Sequence, residues 1–231
     1  MEKPILFSTE MVGAILAGRK TMTRRVVTVP WNKGKRTLPY EPYYIEKDGK
    51  LLYMDDYGDY HSMIELCPFG KPGDILWVRE TWAQNNNQLS DTRSDTSFVY
   101  RADGKGCALD NGTEKPWKRS IHMPRIAARL FLRVKSVKVG QLYNIGEVDM
   151  LAEGLPYRQS TNDFPIGTVP ANGKWYWGFP VKAWNGATDW VYTNNAKEAY
   201  REFWEYNNPK HPWENLWVWV IEFEVINDAT A

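Results

Sequence analysis

Leu16-Ala17-Gly18-Arg19-Lys20-Thr21-Met22-Thr23-Arg24-Arg25 is the stretch on which the reading of this chain turns. It reads as the end of a helix that hands over to a short, strongly basic extended segment. Upstream, Pro4-Ile5-Leu6-Phe7 is a small apolar run, and Ser8 or Thr9 offers the side-chain oxygen that an N-cap needs. Met11, Ile15 and Leu16 recur at helical spacing with Val12 beside them, which predicts one buried face. Gly18 can end the helix cheaply by taking the left-handed conformation. Beyond it, Lys20, Met22 and Arg24 alternate with Thr21, Thr23 and Arg25, so an extended backbone shows the two sets to opposite faces. Arg19 to Arg25 holds four cations and two threonines. That composition fits a site for anions, and it equally fits a solvated basic strand.

Around this stretch, the whole chain sets bounds. Its 231 residues suit one enlarged domain, 1–231, able to bury a real core. Lys+Arg 29 against Asp+Glu 28 leaves +1, so any affinity for nucleic acid must come from a local patch. Trp 12 and Tyr 13 are both high, which points to a core of large side chains or to faces that stack on bases. Cys67 and Cys107 are too few for a disulfide framework. No apolar run reaches membrane-spanning length, and Met1-Glu2-Lys3-Pro4 does not resemble a signal peptide. A cytoplasmic protein with reduced thiols and no membrane partner is expected.

In chain order, Val26 to Val29 extends the basic strand and Pro30 closes it. Residues 31–70 read as an insertion, with Asp48-Gly49 between two apolar runs predicting a hairpin. Ile75 to Trp82 reads as one strand that finishes with Glu80 and Trp82 on one face. That ending suits the rim of a pocket, or a salt bridge from Glu80 to one of the arginines. Residues 84–97 read as a polar loop and Phe98 to Arg101 as a strand. Pro124 predicts a short helix at Arg125 to Arg129, followed by a long strand with Leu130, Leu132, Val134 and Ser136 on one face. His122 suits either a structural hydrogen bond or a pocket donor. His61, Cys67, Cys107 and His122 lack paired ligand spacing, so no metal and no cofactor is expected. An acidic helix runs from 145 to 153, a second aromatic-rich insertion from 155 to 194, and a further helix from Ala196 to Tyr206. Leu216 to Val225 alternates as a closing strand.

The motif Gly18-x-Lys20-x-x-Thr23-x-Arg25 resembles the G-x-K-x-x-T-x-R signature of ASCH domains, a branch of the PUA-like superfamily. Lys71 to Trp82, Ser120 to Pro124, Ile145 to Gly154 and Trp217 to Phe223 resemble further blocks of phage and prophage members, in the expected order. The blocks cover a little over half of the chain. The resemblance implies an α+β, mainly β fold, a PUA-like pseudo-β-barrel with flanking helices, here carrying the two insertions.

The resemblance also implies function. Many such domains bind RNA or single nucleosides, so RNA, DNA or a modified nucleoside is the expected partner. The basic cleft would be built by Arg19, Arg24 and Arg25 on phosphate. Trp82 would stack on a base and Glu80 accept from its amino group. Arg79, His122 and Arg125 complete that candidate surface. Some small ASCH proteins are amidohydrolases acting on N4-acetylcytidine with a lysine, a threonine and a glutamate, which fall here on Lys20, Thr23 and Glu153. In chemical terms, Thr23 can supply a hydroxyl, Lys20 a base if burial depresses its pKa, and Glu153 a group that orients it. Direct pairing of Glu153 with Lys20 would oppose the base role and make the set a polar lock. A third expectation is a non-catalytic phage accessory protein that binds a host protein through the tryptophan-rich insertion.

Overall fold

The computed structural model describes residues 1–27, 52–54, 60–85, 97–104, 108–110, 113–159, 175–182 and 188–226. In chain order the first elements are β1 (Glu2–Leu6), α1 (Thr9–Leu16), β2 (Met22–Val26), β3 (Leu52–Met54), β4 (Tyr60–Ser62) and β5 (Ile75–Arg79). Next come β6 (Trp82–Asn85), β7 (Ser97–Tyr100), β8 (Ala108–Asp110), β9 (Thr113–Lys115) and β10 (Phe131–Gln141). The last are α2 (Glu147–Ala152), β11 (Tyr157–Gln159), β12 (Trp175–Lys182), β13 (Thr188–Thr193), α3 (Ala196–Asn207) and β14 (Trp217–Ile226). The protein is mixed α/β and mainly β, with a mixed sheet and few helices. Its chain divides into two compact units, residues 1–18, 68–135 and 223–231 in the first, and 19–67 and 136–222 in the second.

In the first unit β1 runs parallel to β5, from Glu2↔Ile75 to Leu6↔Arg79, and β5 is antiparallel to the start of β10. Ile5, Leu76, Val78, Leu132 and Val134 are buried on these strands, and Phe7 meets Phe223 with ring centroids 6.2 Å apart. Ser8 caps α1 as expected, its hydroxyl accepting from the Met11 N–H. Val12, Ala14 and Ile15 form the buried face, whereas Leu16, expected there, is exposed in the last turn. The expected strand from Ile75 to Trp82 is in fact two. β5 stops at Arg79, and β6 pairs with β7 from Trp82↔Tyr100 to Asn85↔Ser97, so the ends of the expected polar loop are strands. A small core of Trp82, Met123 and Ala127 packs against Phe98 and Tyr100 of this hairpin, and the strand is interrupted at Glu80 and Thr81. The short helix after Pro124 is a single 3-10 turn, Arg125–Ala127.

In the second unit β2 is antiparallel to β14, from Met22↔Glu222 to Val26↔Val218. Both faces of β2 are covered: Met22, Thr23 and Arg24 are all buried. Along β10, Val137 rather than Ser136 is buried, since the valine loses nothing by leaving water. β3 pairs with β4, and the Asp48-Gly49 turn lies outside the described residues. The second insertion contains an antiparallel sheet in the order β11-β12-β13. Asn195 caps α3 through two backbone N–H groups, and Ala199, Tyr200, Phe203 and Trp204 are its buried face. Among the described residues no sheet closes into a barrel. No helix there is long and apolar enough to cross a membrane.

Candidate functional site

The sequence hands α1 over to β2 through Gly18, whose φ of 70° is the left-handed turn expected of it. Lys20 then follows as an isolated antiparallel bridge to Glu153, reinforced by Thr21 N–H donating to the Ala152 carbonyl at 2.8 Å. Glu153 closes α2, and Gly154 at φ 90° turns the chain away. Two backbone turns thus bring together side chains 133 residues apart. Lys20 Nζ donates to Glu153 Oε2 at 2.8 Å, to the Met22 carbonyl at 2.8 Å and to the Glu153 carbonyl at 2.9 Å. Three donors on an ammonium meet three acceptors, and Lys20 and Glu153 are only 1% and 3% exposed.

Arg24 shares the same carboxylate. Its Nη1 donates to Glu153 Oε1 at 3.3 Å and lies 3.3 Å from Met22 Sδ, while Nη2 pairs with Asp149 Oδ2. Asp149 and Glu153 are four apart on α2, so they share its β2-facing side. The buried Tyr200 hydroxyl belongs to the same electrostatic group as Arg24, Glu153 and Asp149. Burial pushes Lys20 below the ordinary lysine value; Glu153 pulls it back, and Arg25 and Arg24 push it down again. Burial works against the charge of Arg24 too, but Glu153, Tyr200 and Asp149 outweigh it and hold that group above the usual arginine value. Burial and the Glu153 charge push the Tyr200 phenol well above its usual value.

Of the expected trio, the structure brings Lys20 and Glu153 together. Thr23 is buried between Met22 and Arg24 and registers with Ile221, so strand alternation sends it to the face of β2 opposite Arg24. The signature cations expected on phosphate sit differently. Arg24 is buried and ion-paired, Arg25 is half-buried, and Arg19 is exposed with Nη1 donating to the Gly154 carbonyl at 3.1 Å. A cleft of about 520 Å³ also lies in this unit, with Ile145, Met150 and Ala196 as floor and Glu147, Asn195 and Lys197 among its walls.

In the first unit Glu80 takes the salt-bridge role. Arg129 holds it with two hydrogen bonds, Nε to Oε1 at 2.9 Å and Nη2 to Oε2 at 3.0 Å, and reaches Asp103 at 2.7 Å. Burial lifts the Glu80 carboxyl above its usual value although Arg129 opposes this. Trp82, expected to stack on a base, is a core residue instead: Phe98 packs edge-on at 5.6 Å and Lys118 Nζ lies 4.8 Å from its ring. Large apolar area wins over exposure here, as in most cores. Arg79 donates to the Ile121 carbonyl and lies over Trp77, and Arg125 pairs with Glu2 at 2.8 Å. His122 is exposed.

Sequence reasoning missed Asp149, Tyr200 and Arg129 as members of these sites. The spacing of Asp149 from Glu153 was a readable signal; the Tyr200 and Arg129 partnerships leave none in the local pattern. Among the described residues no group of three or more His, Cys, Asp or Glu is placed to hold a metal ion. No family model, curated protein or solved structure matches the chain.

Proposed function

We propose that this chain is an ASCH-type protein of the PUA-like superfamily that recognises a modified nucleotide or a nucleic acid. The observation that supports this reading is the contact of Lys20 with Glu153 at 2.8 Å. The resemblance pairs those two positions, nothing in local sequence links them, and they meet at the turn where α2 ends. The cleft of about 520 Å³ built on α2 and α3 falls within the size range of small-ligand sites.

The geometry favours recognition over turnover. A lysine with all its N–H groups donated is held as a charged, oriented centre, and a general base must instead present a lone pair. Thr23 lies on the other face of β2 and so away from the Glu153 carboxylate. The amidohydrolase is the second reading, favoured by one observation: burial lowers the Lys20 pKa, as a base at neutral pH requires. Purified protein incubated with N4-acetylcytidine separates the two. Saturable binding by calorimetry, or binding of an oligonucleotide, without cytidine release is the expected result. Release that disappears in Lys20→Ala would establish the hydrolase, and binding to neither ligand would sink the nucleotide reading.

A further inference from the structure

Trp117 to Ile126 carries two lysine or arginine side chains in succession, a histidine and a third cation, and no carboxylate. Its cations fall into two kinds. Arg125 is neutralised by Glu2. Lys118 and Arg119 are exposed, and neither has a carboxylate partner among the described residues. Arg101 is a third exposed cation of that kind. The backbone brings it close. Arg101 N–H donates to the Thr81 carbonyl at 3.0 Å, while Lys118 and Trp82 exchange hydrogen bonds of 2.8 and 3.2 Å. Residues 101 and 118 therefore flank the Thr81–Trp82 backbone, two strand spacings or about 10 Å apart.

This surface is anchored. Arg79 donates to the Ile121 carbonyl, and the Lys118 ammonium rests over the Trp82 ring. Further along the same segment, Ile121 and Ile126 are 52% and 80% exposed, apolar side chains that a sugar or base can cover. The chain carries only +1 overall, so an unneutralised cluster is a local feature and not the average surface. Among the described residues no long helix presents these cations, so no recognition helix is available here to enter a duplex groove.

We infer that a single-stranded nucleic acid lies along this segment, its phosphates on Arg101, Lys118 and Arg119 and its sugars or bases against Ile121 and Ile126. The inference rests on the nucleic-acid branch of the proposed function and places the backbone contacts away from the buried signature cations. Fluorescence anisotropy with an oligouridylate RNA, followed across potassium chloride concentration, tests it. Each phosphate contact on a single strand contributes about 0.7 to the slope of log K against log salt. Lys118→Gln with Arg119→Gln should therefore flatten the slope by about 1.4, and Arg101→Gln by a further ~0.7. Lys135→Gln, an exposed lysine on β10, should leave it unchanged; all variants should keep the wild-type circular dichroism. A wild-type slope in the double variant, or equal flattening by Lys135→Gln, would overturn this surface while the nucleic-acid reading stands. No binding of RNA or DNA by the wild type would overturn both. Equal competition by polyglutamate would reassign the surface to an acidic protein.

Discussion

Lys20 is held by opposed terms. Burial alone favours its neutral form, and Glu153 with two backbone carbonyls favours the charged one. A buried pair of this kind adds little net stability, but losing one partner strands the other. Lys20→Ala should accordingly cost about 3–5 kcal/mol in urea unfolding at neutral pH. Its pH dependence has a fixed sign. The folded-state pKa lies below 10.5, so in that window the unfolded chain binds more protons and the folded state gains as pH rises. The stability gap between wild type and Lys20→Ala should widen with pH up to about 10.5. A gap that narrows would mean that Glu153 dominates over burial.

At the level of elements, the end of α2 sets the geometry of the ion pairs. Asp149 and Glu153 share the β2-facing side through their spacing of four, and α2 ends just there, at Ala152, with Gly154 at φ 90° sending the chain on to Leu155. Gly154→Ala forces a side chain into the left-handed region and should cost about 1–2 kcal/mol. Because it sits next to Glu153, it should also shift the amide signal of Thr21, whose N–H donates to the Ala152 carbonyl. Thermal unfolding with two-dimensional NMR checks both. A loss of stability with that signal unmoved would show that α2 can re-form its end without Gly154. Burial alternates without interruption from Leu76 through Val78 and Glu80 to Trp82, so the inward face set by β5 also delivers Glu80 to Arg129 and Trp82 to the Met123 and Ala127 core.

On the scale of the whole molecule, charge is the informative quantity. With a net +1, long-range attraction to a polyanion is nearly absent, so binding must scale with the few cations in contact. The wild-type slope of log K against log salt on single-stranded RNA should be no steeper than about −2.1, corresponding to roughly three contacts. A slope well beyond that would require cations other than those argued for here. The division into two compact units places the signature ion pairs in one and the unneutralised cations in the other.

The residue pattern by itself determined much of this: a cap at Ser8 or Thr9, the turn at Gly18, α2 and α3 to within a residue or two, and β14 from its alternation. Each of these follows from local propensity or from a period of 3.6 or 2, which neighbours in sequence record. The contact of Lys20 with Glu153 was legible only through the resemblance of two distant motifs. Tertiary structure alone decided that Arg24 is buried against Asp149, that Arg129 takes Glu80, that Trp82 joins a core, and that Lys118 and Arg119 meet no carboxylate among the described residues. A charged side chain reads the same in sequence whether it meets water or a carboxylate more than a hundred positions away. Which of the two it meets is settled by packing of both faces of β2 and of the inward face that runs on from β5, because burial makes an unpaired charge far more costly than a paired one.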